Sequence, residues 1–215
     1  TLVHQTIEDI HRKYLGGKGT DVTEKFIEER FDFNYRMLQL KEVRSMAEPQ
    51  MKAALQNVVH YWKNNKQILD SIEGAEIDVS LEKDSYVLKG SIDLIADENG
   101  ELEVLDFKTG KLPEGDTEML RSYYLQLCIY AYIFEKRHGK TPSRLVLYWT
   151  GEFDRDKARM VFPYKKEDID GAMSHFESVV RQIQARNFEV EHAPSKEVCN
   201  ECDFRSYCRT LGTIK

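Results

Sequence analysis

The chain has 215 residues, of which 41% are apolar and 32% charged, which allows one large domain with a real core and a well-solvated surface. Its formal net charge is −6, so any site for a polyanion has to be built from local cations rather than from the overall balance. No apolar run approaches the roughly 18 residues a membrane span needs, and Thr1-Leu2-Val3-His4 opens straight into a helical pattern without a signal peptide, so a cytoplasmic protein without membrane partners is expected.

The first residue is not Met, so a fragment of a longer protein is expected. Val3, Ile7, Ile10 and Tyr14 recur at three- and four-residue spacing and predict a helix that ends at Gly16-Gly17. Further helices are expected near 23–44 and 48–71. The period then changes. Strands are expected over 75–81, 86–96 and 101–108, a helix over about 117–138, strands over 145–150 and 158–162, and a long helix over about 167–187. The irregular tail from Phe188 delivers a cysteine cluster. The order suits an α/β fold with a central mixed sheet flanked by helices. It divides into a helical N-terminal part (1–72), a catalytic core (73–187) and a cysteine tail (188–215) of one domain.

Asn99-Gly100 between apolar strands predicts a two-residue type I′ hairpin. If those two residues form the loop, Glu98 pairs with Glu101 and, counting outward, Asp93 falls opposite Asp106. Directly opposed residues have Cβ atoms about 4.5–5.5 Å apart. Lys108, two residues beyond Asp106, projects from the same face. Two acids on strands as apolar as Ile92-Asp93-Leu94-Ile95 and Val104-Leu105-Asp106-Phe107 need a cationic partner. Lys108 supplies part, and a divalent ion such as Mg²⁺ is the simplest remainder. That chemistry is suited to phosphate-ester hydrolysis.

Gly90-Ser91-Ile92-Asp93 followed by Leu105-Asp106-Phe107-Lys108-Thr109-Gly110 resembles the RecB-type branch of the PD-(D/E)XK nuclease superfamily. Gln126-Leu127-Cys128-Ile129-Tyr130 is similar to that branch's Q-x-x-x-Y motif, and His4 to its upstream histidine. The resemblance implies a restriction-endonuclease-like core with an N-terminal helical region. It implies that Asp93, Asp106, His4 and the Phe107 carbonyl hold Mg²⁺ or Mn²⁺, and that Lys108 orients or activates water. Gln126 and Tyr130, one helical turn apart, would line the site.

Cys199, Cys202 and Cys208 form C-x2-C-x5-C, and three thiols this close can share one metal centre. In iron–sulfur members of the branch such a run supplies three ligands of a 4Fe–4S cluster. The fourth normally lies upstream of the histidine and is absent here. An incomplete cluster, a zinc ion and free thiols all fit the remaining three. Cys128 reads as a small core residue. The resemblance implies a metal-dependent deoxyribonuclease, an exonuclease on single-stranded DNA ends, acting in repair or recombination with a helicase domain or subunit of the RecB or AddB kind. The implied setting is the bacterial or archaeal nucleoid. The alternatives are a CRISPR-associated exonuclease of the same branch and a non-catalytic DNA-binding scaffold.

Overall fold

The computed structural model describes residues 1–41, 45–115, 117–187, 199, 202, 203, 205 and 206. Four helices lead: α1 (Leu2–Leu15), α2 (Glu24–Leu40), α3 (Glu48–Asn64) and α4 (Lys66–Asp70). Strands β1 (Ile72–Lys83), β2 (Tyr86–Glu98) and β3 (Glu101–Lys108) follow, then α5 (Glu118–His138), β4 (Arg144–Trp149), α6 (Arg155–Ala158), β5 (Arg159–Pro163) and α7 (Lys166–Gln184). Residues Thr1–Ser174 form one compact unit and His175–Lys215 a second. All five strands among the described residues lie in the first. Among the described residues no helix is long and apolar enough to cross a membrane.

The sheet runs β1-β2-β3-β4-β5. Every pairing is antiparallel except β3 with β4, which are parallel and joined through α5. The expected mixed sheet flanked by helices is therefore present, and the parallel step is what requires a helical crossover. Local chemistry sets the crossover's ends. The Thr117 hydroxyl accepts from Leu120 N at 3.2 Å, and Gly139 closes the helix at φ 65°, where a Cβ would be strained.

β3 is buried from Glu103 to Phe107 because both its faces are covered there. Leu105 and Phe107 join the core formed by Ile7, Ile10, Ile27, Phe31, Val58 and Tyr61 of the leading helices. Val104 and Asp106 alternate to the opposite side, where α5 packs on the sheet.

The expected helix over 48–71 is in fact two. Asn65 is fully buried at the break, with φ −122°, and its side-chain amide donates to Tyr61 O at 2.8 Å and Tyr148 Oη at 2.7 Å. The amide takes a carbonyl the helix would otherwise have used, a competition typical of Asn. The second helix ends at Leu40, short of the expected 44; residues 42–44 lie outside those described.

Candidate active site

Asn99 and Gly100 both have positive φ, 59° and 81°, as a type I′ turn demands, and Glu98 pairs with Glu101. The expected register then runs outward as far as Leu94 opposite Leu105, and the ladder stops there. Asp93 and Asp106 stand one step beyond, where β2 continues beside β1 and β3 beside β4. The acids are thus placed at a fork between strands rather than in a closed ladder. Asp93 occupies the gap: its Oδ2 accepts the Phe107 N–H at 2.7 Å, a donor that strand pairing leaves unused.

The other end of that peptide unit's residue is held from α1. The His4 ring donates from Nε2 to the Phe107 carbonyl at 2.8 Å, and its Nδ1 accepts from the Thr1 hydroxyl at 2.6 Å. This is the neutral ring, consistent with a pKa lowered chiefly by burial. Phe107 therefore joins Asp93 through its N–H and His4 through its carbonyl. Its ring packs against His11, Tyr61 and Tyr148 with centroids 5.6, 5.2 and 5.5 Å away, fixing the backbone between them. His11 is fully buried, which pushes its pKa down to about 3 and keeps it neutral.

Asp106 is 4% exposed and forms an ion pair with Lys108. Beyond that pair its buried Oδ2 has no hydrogen-bond partner among the described residues. The Lys108 ammonium also donates to Gln126 Oε1 at 3.0 Å, and Gln126 Nε2 donates to Tyr130 Oη at 2.9 Å. One turn of α5 therefore reaches the amine through a fixed relay. Burial and the nearby Asp106 charge push the Asp93 carboxyl up to about 7. Burial also raises Asp106, against the pull of Lys108. Two carboxyls with a shared field and one amine are under-neutralised, and their oxygen-rich surroundings fit a hard divalent ion. Among the described residues no three His, Cys, Asp or Glu side chains already converge as a closed metal cage.

Three further residues stand at the site without belonging to any of the motifs. Tyr123, one turn before Gln126, places its ring under the Lys108 ammonium at 3.9 Å. Glu76 sits in β1 at φ 47°, beside the irregular start of the β1–β2 pairing, and its charge reaches Asp93. Glu8 lies one turn beyond His4 and raises the Glu76 pKa, after burial, which contributes most. Only Glu8 could have been found, by its four-residue step from His4; Glu76 is aimed by a strand irregularity. The Gly90 of the first motif also gains a reason. A Cβ there would lie 2.8 Å from Tyr130 Cε1, so a side chain would push that ring away.

The cysteines are divided. Cys128 is 1% exposed inside α5, and burial pushes its thiol up to about 11. It is a core residue, as its apolar neighbours suggested. Cys199 and Cys202 belong to the second unit, where Arg205 N donates to Cys202 O at 3.0 Å. Cys208 lies outside the described residues.

Residues 1–209 match the PD-(D/E)XK nuclease superfamily, and the chain belongs to that superfamily. The Gene 69 protein of Mycobacterium phage L5 is 29% identical over 151 residues, covering 68% of this chain and 49% of the phage protein. The chain thus spans about half the length of the curated relative it matches. A provisionally named exonuclease of Eubacterium rectale shares the fold at a TM-score of 0.51 and 14% identity, over 99% of this chain and 76% of its own. The structure of SSO0001 aligns over 84% of this chain and 79% of its own, with a TM-score of 0.42 and 16% identity.

Proposed function

We propose that this chain is a Mg²⁺- or Mn²⁺-dependent deoxyribonuclease that hydrolyses phosphodiester bonds from single-stranded DNA ends. The observation that carries the reading is the fork between β2 and β3, where Asp93 and His4 grip Phe107 beside a buried, under-neutralised Asp106. Asp93, Asp106 and the Phe107 carbonyl would hold the ion, and His4 would join them in the tautomer that carries its proton on Nδ1, donated to the Thr1 hydroxyl, and leaves the Nε2 lone pair to the metal. When bound, the ion lowers the pKa of a water and offsets charge on the phosphoryl group. Lys108 adds positive charge beside the attacked phosphate and orients the water. Gln126 and Tyr123 keep its amine in place, and Tyr130 fixes Gln126. Digestion of labelled single-stranded DNA in Mn²⁺ tests the assignment. Asp106→Ala is expected to lower the rate at least about a thousandfold. Equal digestion by both proteins refutes it.

The joint occurrence of the Asp93, Asp106–Lys108 and Gln126–Tyr130 motifs supports a place in the RecB-type branch. With it come a helicase partner and work on DNA ends in repair or recombination. The resemblance to iron–sulfur members of that branch assigns Cys199, Cys202 and Cys208 as three ligands of an iron–sulfur cluster. Iron is expected in protein purified without oxygen; stoichiometric zinc without iron overturns that assignment.

A further inference from the structure

A second charged feature lies on the helix that carries His4. Between α1 and α2 is a cleft of about 580 Å³ lined by Asp9, Arg12, Lys13, Lys18, Phe26 and Arg30. In a chain of net charge −6, four cations face one acid here. The neighbouring acids are already engaged. Asp9 accepts two bonds from Arg30, at 2.8 and 3.1 Å, and one from Asn34 at 2.9 Å. Glu8 pairs with Arg12, and Glu29 with Lys25 at 3.8 Å. Lys13 and Lys18 have no acidic partner among the described residues.

Arg12 and Lys13 have a local explanation, since cations in the last turn offset the negative end of a helix. Lys18 lies beyond the helix and is left over. So is the exposed face that continues α2 past the cleft. Phe33, Met37 and Leu40 are 49%, 42% and 77% exposed, and they continue the line of Phe26 and Arg30 along α2 at three- and four-residue steps. The Lys13 ammonium lies 5.3 Å from the Phe26 centroid, and the Arg30 guanidinium 4.6 Å from that of Phe33. The cleft is thus mainly cationic, with Phe26 and Arg30 on its α2 side, and the aromatic and apolar face of Phe33, Met37 and Leu40 continues α2 beyond its rim.

That pairing suits a strand whose phosphates need positive charge and whose unpaired bases need a flat apolar surface. A duplex hides its base faces and would leave the exposed Phe33 ring unused. His4, Glu8 and Arg12 follow one another at four-residue steps on one side of α1. Eight residues of helix amount to about 12 Å, so the cleft starts within a short run of nucleotides from the fork. Resting on the nuclease reading above, we propose that the α1–α2 cleft is a binding track for single-stranded DNA, with phosphates on Lys13 and Lys18 and a base on Phe33.

Fluorescence anisotropy with a labelled oligo-dT in EDTA, over a salt series, tests this apart from catalysis. A Lys13→Gln/Lys18→Gln protein is expected to bind at least about tenfold more weakly, and its log K against log salt slope to fall by about 1.4, for two lost contacts. Phe33→Ala is expected to weaken binding about tenfold with an unchanged slope. Both variants should hydrolyse the small diester bis(4-nitrophenyl) phosphate with Mn²⁺ at the wild-type rate. Wild-type affinity and slope in the lysine variant overturn the track, as does competition by an acidic peptide with oligo-dT binding unaffected by the lysine changes. Loss of small-diester hydrolysis matching the loss of binding also overturns it, because the damage is then general. Wild-type protein that hydrolyses neither substrate defeats the nuclease reading while the anisotropy still decides the track.

Discussion

At the turn end of the β2–β3 hairpin, Glu98, Glu101 and Glu103 meet three arginines; at its open end, Asp93 and Asp106 share one lysine among the described residues. Glu103 is fully buried, yet Arg159 donates to both its oxygens at 2.8 Å and Arg144 lies 3.5 Å away. Glu98 is paired with Arg155 and with Arg159 at 3.3 Å. Buried acids on these two strands are thus neutralised in full where they only hold the sheet together. At the fork they are not, and Asp93 is pushed up to about 7. The same hairpin pairs its charges fully at one end and at the other leaves two acids with one amine, the surplus that the proposed cation would take up.

The largest effect expected from this contrast is at the fastened end. Glu103→Ala leaves Arg159 buried against a missing partner, and breaking such a pair costs about 3–5 kcal/mol. For a chain of this size that is a fall in Tm of about 10 °C. Calorimetry checks it, and a loss below about 1 kcal/mol would erase the distinction between the two ends.

Next in size is the response to metal. Mn²⁺ at about a hundredfold over its Kd stabilises the folded chain by about 2.7 kcal/mol, or about 5–10 °C. That gain is expected to vanish in Asp106→Asn. A gain that survived Asp106→Asn would locate the ion elsewhere.

The smallest effect is a pH dependence. A carboxyl with a raised pKa stabilises the folded state fully below its unfolded value of 3.8, and that contribution is lost as pH rises through about 7. In EDTA, Asp93→Asn is therefore expected to raise Tm relative to wild type at pH 8 and to leave the difference smaller or reversed at pH 4. Parallel Tm profiles for the two proteins between pH 4 and 8 would show that Asp93 titrates normally.

Much of the fork could be read in advance. The Asn-Gly turn fixes the register, and counting residues brings Asp93 level with Asp106 because side chains alternate with a strict period of two. Gln126 and Tyr130 came from the resemblance to the Q-x-x-x-Y motif, with helical spacing setting them one turn apart, and the structure hydrogen-bonds them to each other and Gln126 to Lys108. Other parts had no local sign. Nothing near Asn65 says that its amide will meet Tyr148, 83 positions away, and end a helix. Tyr123 looks like any apolar-face aromatic until its ring is found against an ammonium. The strands' separation at Asp93 depends on β1 and β4 drawing β2 and β3 apart, which no two-strand count contains.

The order of chemistry along this chain, and which acids share a strand face, follow from the sequence, because turn type and side-chain alternation are local properties of the backbone. Which of those acids are neutralised was decided only in three dimensions. The arginines that settle Glu98 and Glu103 arrive from β4, β5 and α6, and charge compensation depends on distance through space rather than along the chain.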